Sequence, residues 1–499
     1  MHNPLSERCF NALVKDVFLS EYAVILKTLL VEHESVQPLV EKRLFQLFEK
    51  TIENEEQVLE ALKDFQLLLF LSRYTTPLQI AINKQSIQFF IKLKDNPLIY
   101  DHAYAGSFLK LIAVLLKQDD SEFEIKALPS GFVQEGVKGL TPFGDVVKLQ
   151  HQIEIALNAF FLALLKQDSE LALLAGRMVL AIAKCFDEDG SVLVGLWSSS
   201  VLADRNPFFS LTFLMLYTFT HVAKNKSLES VFKIQSDVIL AYTDKEVVTI
   251  SDYAFTLSFV LDQLLNENLH ELVHVMSLTE SQDSVLQDVG LVVDKLGNFS
   301  SYLTFSGINV SMGSIITHDI KIIAMGPHFQ PLGDLSKFGI FQTINLENEP
   351  KITVEKSGNV TFIKGMSKLV HPNSSKNNVN PSNSWIELEI IKSEEKMQLS
   401  VSLWGEPSHQ PVSFAFFIKS NETEMIGHHP VRIKSLDKYI GPSQKVVFKG
   451  LLKKLSVQPQ FDAKMHLIPL QGQTHFWGAD YLLACEIPQF QKKYTWDFH

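Results

Sequence analysis

Two imidazoles stand four residues apart in His270-Glu271-Leu272-Val273-His274. On a helix that spacing puts both on one face, where they can share a zinc ion while Glu271 activates its bound water. A catalytic zinc needs a third protein ligand. The extended form of the motif wants Gly and His where this chain has Ser277 and Glu280. Reaching Glu280 would need a sharp turn at Ser277–Thr279, and no Gly or Pro is there to make it. The residues therefore argue against zinc at His270 and His274, and imply no other cofactor.

A second group lies in Ile-Tyr100-Asp-His102-Ala-Tyr104-Ala-Gly. Tyr and His are the side chains that transfer protons when aligned with a substrate. The segment reads as the entrance of a helix. Tyr100 and Tyr104, four apart, share a face and can equally well just pack.

A third stretch begins where the helix Leu171–Phe186 runs out into Asp187-Glu188-Asp189-Gly190-Ser191. Trp197 follows, and Asp204-Arg205-Asn206-Pro207-Phe208-Phe209 opens the next helix. This sequence of features resembles the toroid domain of heparinase II/III-like polysaccharide lyases. Those proteins join an incomplete (α/α) toroid to a C-terminal β-sandwich. The resemblance spans the domain order over most of the chain, and particular residues only from about 187 to 209.

Chemistry of that kind neutralises a uronate carboxylate, removes a ring proton and stacks sugars on an aromatic floor. The resemblance then implies Arg205 and Asn206 at the carboxylate, with Tyr100 and His102 for proton transfer. It implies Asp189 and Trp197 for substrate binding. The family motif has Glu-Arg-Ser-Pro-x-Tyr-His. Phe208 and Phe209 replace its Tyr and His, so this chain lacks that polar pair.

In the last third, His328 and Trp477 fall on turns beside strands, in Gly-Pro-His-Phe and His-Phe-Trp-Gly. Both are further candidates for substrate binding. Four of the five Trp lie here, namely Trp385, Trp404, Trp477 and Trp496. An exposed row would suit a sugar, whereas sandwich aromatics are more often buried. The chain holds neither GxGxxG nor GxxxxGK[ST], and no GxSxG elbow.

These residues need elements to hold them. Through residue 290, apolar residues recur at spacings of three and four, as in Val58, Leu62, Phe65, Leu68 and Leu69. Some helices, such as Ile155–Leu165, are apolar nearly all round and must be covered on every side. Past Gly297 the period becomes two, as in Trp385–Ile390 and Gln398–Leu403. The expected fold is thus α then β: an all-α hairpin array or (α/α) toroid over 1–295, then an antiparallel β-sandwich over 300–499. A long irregular stretch, Asp119–Asp145, carries enough apolar residues to be an ordered loop over a site.

Composition bounds the partners. The chain has 499 residues with 45 Lys and Arg against 56 Asp and Glu, a net charge of −11. That balance argues against nucleic acid, whose phosphates need clustered cations. Three distant cysteines build neither a disulfide framework nor a CxxC metal site. Asn206–Ala223 is uncharged over 18 residues, yet its Ser, Thr, Asn and His read as a core helix and not a membrane span. The N-terminal residues do not resemble a signal peptide, so the default location is the cytoplasm. Two classes of reading remain. One is a carbohydrate-associated, acidic-oligosaccharide-binding protein, lyase-like but without that polar pair. The other is a non-catalytic protein that meets a protein partner.

Overall fold

The fold follows from a change of period, seen in a computed structural model of the chain. The structure describes residues 21–32, 35–73, 80–99, 102–133, 149–185, 214–215, 217, 252–272, 285–295, 297–305, 311–328, 343–344, 351–370, 381–405, 412–426, 431–433, 438–470, 478–488 and 491–499. Among them are eight α-helices followed by an antiparallel β-sandwich. They belong to two compact units.

The helices are α1 (Glu21–Leu30), α2 (Gln37–Glu49), α3 (Glu55–Ser72) and α4 (Ile80–Lys94). Then come α5 (Ala103–Leu115), α6 (Leu149–Lys166), α7 (Ser169–Ala183) and α8 (Asp252–Leu272). Helix α3 starts where it does because Asn54 accepts a hydrogen bond from the Gln57 N–H. Glu55 and Glu56 then face the positive end of the helix dipole. Asp168 caps α7 by accepting from the N–H groups of Glu170 and Leu171.

Helix α6 is buried all round from Gln152 to Leu164. It packs against α5, α7 and α8, which is the covering that its lack of a polar face demanded. Phe48, Phe65 and Phe89 meet edge to face or tilted and join α2, α3 and α4. Of the uncharged run 206–223 the described residues are Leu214, Met215 and Tyr217, all buried. No described helix is long and apolar enough to cross a membrane.

The strands open with β1 (Val285–Leu286), β2 (Leu291–Asp294), β3 (Ser300–Thr304), β4 (Gly313–Thr317), β5 (Ile320–His328) and β6 (Thr343–Ile344). Next are β7 (Lys351–Ser357), β8 (Val360–Val370), β9 (Pro381–Lys392), β10 (Met397–Gly405), β11 (Val412–Lys419) and β12 (Glu422–Ile426). The last are β13 (Val431–Ile433), β14 (Tyr439–Pro442), β15 (Lys445–Lys449), β16 (Lys454–Pro459), β17 (Lys464–Pro469), β18 (Tyr481–Ile487) and β19 (Lys493–Phe498). One sheet runs β1-β2-β3-β4-β5-β11-β18-β17-β14. The other runs β13-β12-β15-β16-β19-β10-β9-β8-β6, with β7 also paired to β8.

A single apolar core lies between the sheets. Leu303, Ile322, Phe414, Phe416 and Leu483 from one sheet meet Ile363, Leu388, Leu399, Val401 and Trp496 from the other. The first sheet also buries residues on its other face, including Ala415, Phe417, Leu482 and Ala484. Strand β11 is therefore covered on both sides, which is why its sequence, Val-Ser-Phe-Ala-Phe-Phe-Ile, loses strict alternation. Strands β1 and β2 lie upstream of Gly297. They are too short to display a period, and the sequence pattern does not reveal them.

Candidate functional site

The most concentrated chemistry among the described residues is a polar cluster inside the helical unit, centred on Glu154 of α6. Its side chain is fully buried, and Lys63 of α3 reaches it at 3.0 Å. The Tyr104 hydroxyl on α5 donates to the same carboxylate oxygen, and Lys63 also donates to the other one at 3.1 Å. Charge-assisted bonds of this kind offset part of the cost of burying a carboxylate. The Lys63 ammonium lies 5.5 Å from the ring centroids of both Tyr104 and Tyr253. His151, one turn before Glu154, stacks flat on Tyr104 at 3.8 Å and 5°.

The network continues through amides. The Gln66 Nε2 donates to Asn158 Oδ1 at 3.1 Å, and Asn158 Nδ2 donates to Ser107 Oγ at 3.1 Å. Ser107 Oγ in turn donates to the Tyr104 carbonyl at 2.8 Å. Tyr253 of α8 closes the group with a long bond of 3.5 Å to Gln66 Oε1. Burial and the Glu154 charge hold the Tyr253 hydroxyl well above its ordinary pKa. Four helices thus meet in one polar network around a buried carboxylate.

The described part of the irregular stretch after α5 reaches this cluster at Val133. Gln152, next to His151, donates to the Val133 carbonyl at 2.6 Å and accepts from the Val133 N–H at 3.0 Å. Gly131 approaches α7 so closely that a Cβ would lie 2.5 Å from the Arg177 carbonyl oxygen, and its φ is +97°. The turn needs glycine on both counts.

His102 sits at the N-terminus of α5. Its Nδ1 accepts from the Ala105 N–H at 3.4 Å, and its Nε2 stands 3.2 Å from Glu55 Oε1. With Nδ1 accepting, the ring proton belongs on Nε2, facing Glu55. His102 is therefore a helix cap paired with a neighbouring carboxylate. His328 ends strand β5 and is buried, at 1% exposure. His270 lies in α8, with its side chain outside the described set. Tyr100, Asp189, Trp197, Arg205, Asn206, His274 and Trp477 all lie outside the described residues. Among the described residues no group of three or more His, Cys, Asp or Glu side chains is placed to hold a metal ion.

The sequence reading reached Tyr104 and His102 but missed Lys63, His151, Glu154 and Asn158. Lys63 precedes Glu154 by 91 residues, and no local spacing joins them. The available signal was a Glu and an Asn inside an otherwise apolar helix.

A second arrangement lies on the outer face of the sheet that contains β8, β9 and β10. Trp404 on β10 is directly opposite Trp385 on β9, and Trp385 is opposite Lys368 on β8. Trp404 is 39% exposed. The Lys368 ammonium stands 5.2 Å from the Trp385 ring centroid. Further along this face Lys364 bridges Glu387 and Glu389, each at 3.0 Å. Two indoles and a cation thus form a row across three strands.

No family model matches the chain, and no curated protein matches its sequence. Solved structures do. Heparan sulfate lyase HepC from Pedobacter heparinus is 10% identical, with 96% of this chain and 75% of that chain covered at a TM-score of 0.43. A heparinase III gene product is 8% identical, with 96% and 76% covered at 0.48. A chondroitinase AC lyase is 10% identical, with 92% and 82% covered at 0.33. At low identity and over most of its length, this chain is weakly similar in structure to heparinase-like polysaccharide lyases, which join a helical toroid to a β-sandwich.

Proposed function

We propose that this chain binds an acidic oligosaccharide and does not cleave it. The observation that carries the reading is the row of Trp404, Trp385 and Lys368. A sugar ring presents an apolar C–H face that suits an indole. A carboxylate or sulfate on the same sugar suits the adjacent ammonium, which offers charge-assisted hydrogen bonds. The row is accessible, and neighbouring Lys364 is already neutralised by Glu387 and Glu389.

Binding without cleavage is favoured by what Tyr104 and His102 are doing. The Tyr104 hydroxyl donates to a buried carboxylate, and His102 caps α5 and faces Glu55. Both side chains are engaged within the protein, which supports a reading without proton transfer from a sugar ring. The test is an array of uronate-containing and sulfated oligosaccharides, probed with wild type and Trp404→Ala. Retention of acidic glycans by wild type and loss in the variant supports the reading. Failure to bind any of them, or formation of an ultraviolet-absorbing unsaturated uronate, counts against it.

A further inference from the structure

Strands β15 and β16 are joined by a turn whose side chains point the wrong way for a soluble surface. In Lys449-Gly450-Leu451-Leu452-Lys453-Lys454 the turn closes through Gly450 N–H donating to the Lys453 carbonyl at 2.9 Å. Leu451 is 85% exposed and Leu452 80%, while the next large apolar side chain among those described, Val24, is at 49%. Turns ordinarily carry polar residues at such positions, and two adjacent exposed leucines rimmed by polar residues make a contiguous apolar tip of the kind found at interaction sites.

The turn is built, not frayed. Asp319, from the connection between β4 and β5, accepts from the backbone N–H groups of both Leu451 and Leu452. A Cβ at Gly450 would press into the Asp319 carboxylate, so glycine is needed for that approach. With their N–H groups turned towards Asp319, the two leucines are held outward.

The rim is basic. Lys453 and Lys454 are exposed, and no ion pair involves them among the described residues. Lys449 lies directly opposite Lys454, a like-charge pairing that costs stability unless an anion intervenes. Glu424 relieves it in part, 2.8 Å from Lys449. Lys321 opposite Lys419 repeats the pattern at the same end of the sandwich. Of the acids nearby, Asp319 holds the turn, Asp480 accepts from the Ser420 N–H at 3.0 Å, and Glu422 lies directly opposite Lys449 on β12, leaving Lys453 and Lys454 as the cations of the tip.

We propose that the Leu451–Leu452 turn anchors the protein on an anionic lipid surface, with both leucines below the headgroups and Lys453 and Lys454 on the phosphates. Charge complementarity selects this occupant. Cations flanking a protruding apolar tip match a negatively charged interface, where apolar burial and electrostatic attraction act together. The inference is independent of the saccharide reading, because the tip and the Trp row share no residue.

The experiment uses the full chain and vesicles of phosphatidylcholine with or without phosphatidylserine. Wild type is expected to co-sediment with the anionic vesicles and not with the neutral ones. Leu451→Ser with Leu452→Ser should weaken that binding by about tenfold or more, and Lys453→Glu with Lys454→Glu by a similar factor. All four positions are exposed, and circular dichroism checks that the fold is kept. In Leu452→Trp, the new indole emission should shift to the blue on binding and be quenched by brominated lipid. No binding to anionic vesicles, binding indifferent to the two Ser substitutions, or an unshifted indole would overturn the proposal. A protein partner captured by the tip without vesicle binding would overturn it equally.

Discussion

Lys392 and Asp294 form an ion pair with side-chain exposures of 0% and 2%. Lys392 ends β9 in one sheet, and Asp294 ends β2 in the other. The ammonium also donates to the Asp294 carbonyl at 2.9 Å and the Phe299 carbonyl at 2.8 Å. All three of its protons are therefore placed, and the two sheets are pinned at that end. Burial pushes the Lys392 pKa down, against the pull of Asp294.

Removing one partner leaves a buried charge. Lys392→Ala should cost about 3–5 kcal/mol, the usual price of breaking a buried pair. Lys356, 3.4 Å from Asp294 and half exposed, compensates only in part. The double change Lys392→Met with Asp294→Leu removes both charges and should cost less than Lys392→Ala alone. Urea unfolding followed by tryptophan fluorescence measures both variants against wild type. A double variant weaker than the single one would show that the pair contributes more than its desolvation takes away.

Glu154 and Tyr104 give a second test. Tyr104→Phe removes the donor but leaves Lys63 on the carboxylate, and should cost about 1–2 kcal/mol. Glu154→Gln leaves Lys63 facing a neutral amide and should cost about 1–3 kcal/mol. Because both changes act on the same Tyr104–Glu154 bond, one removing its donor and the other its charged acceptor, the double variant should lose less than the sum of the singles. Thermal melts followed by helical circular dichroism read the coupling. Simple additivity would mean that the two side chains act independently.

The order of helices before strands was legible because burial imposes a period on each element. Val58, Leu62 and Phe65 mark a helix face, and Trp385–Ile390 marks a strand, by spacing alone. The alternating segments Trp385–Ile390 and Gln398–Leu403 fall within β9 and β10. Strands β1 and β2 escaped because two to four residues cannot show a period. The cluster around Glu154 escaped for another reason. Its members come from α3, α5, α6 and α8, and only packing joins them. The row of Trp404, Trp385 and Lys368 was hidden likewise. Its tryptophans were conspicuous, but strand register decides which side chains are neighbours, and a shift of one residue would have put them on opposite faces.

Trp404 and Trp385 should contribute unequally to saccharide binding. Lys368 stands over the Trp385 ring, whereas Trp404 is the more exposed indole. Trp404→Ala should therefore weaken binding by about tenfold, the scale of one well-packed aromatic contact. Lys368→Met should keep neutral-sugar binding and lower the affinity for charged oligosaccharides, with a weaker salt dependence. Titration calorimetry at two ionic strengths separates these effects. Equal losses for neutral and charged ligands in Lys368→Met would remove Lys368 from the role of charge reader.

Acid should act on the fold in two steps through His466 and Glu486, which meet at 3.0 Å across β17 and β18. Burial lowers the His466 pKa below its ordinary 6.5, outweighing the carboxylate beside it. Between that lowered value and about 6.5, the unfolded chain binds more protons than the folded one. Stability must then rise with pH across that window and fall on acidification through it. Glu486 behaves differently. Burial alone would raise its pKa, but bonds from His466 and from Lys464, 3.2 Å away, hold it below the ordinary 4.5. Its contribution is complete above 4.5 and is lost as pH falls through the depressed value. His466→Gln keeps a donor towards Glu486 but cannot titrate. It should flatten the melting temperature between about pH 7 and pH 5 and leave the drop at lower pH in place. An unchanged fall between pH 7 and pH 5 in His466→Gln would assign the first step to another group.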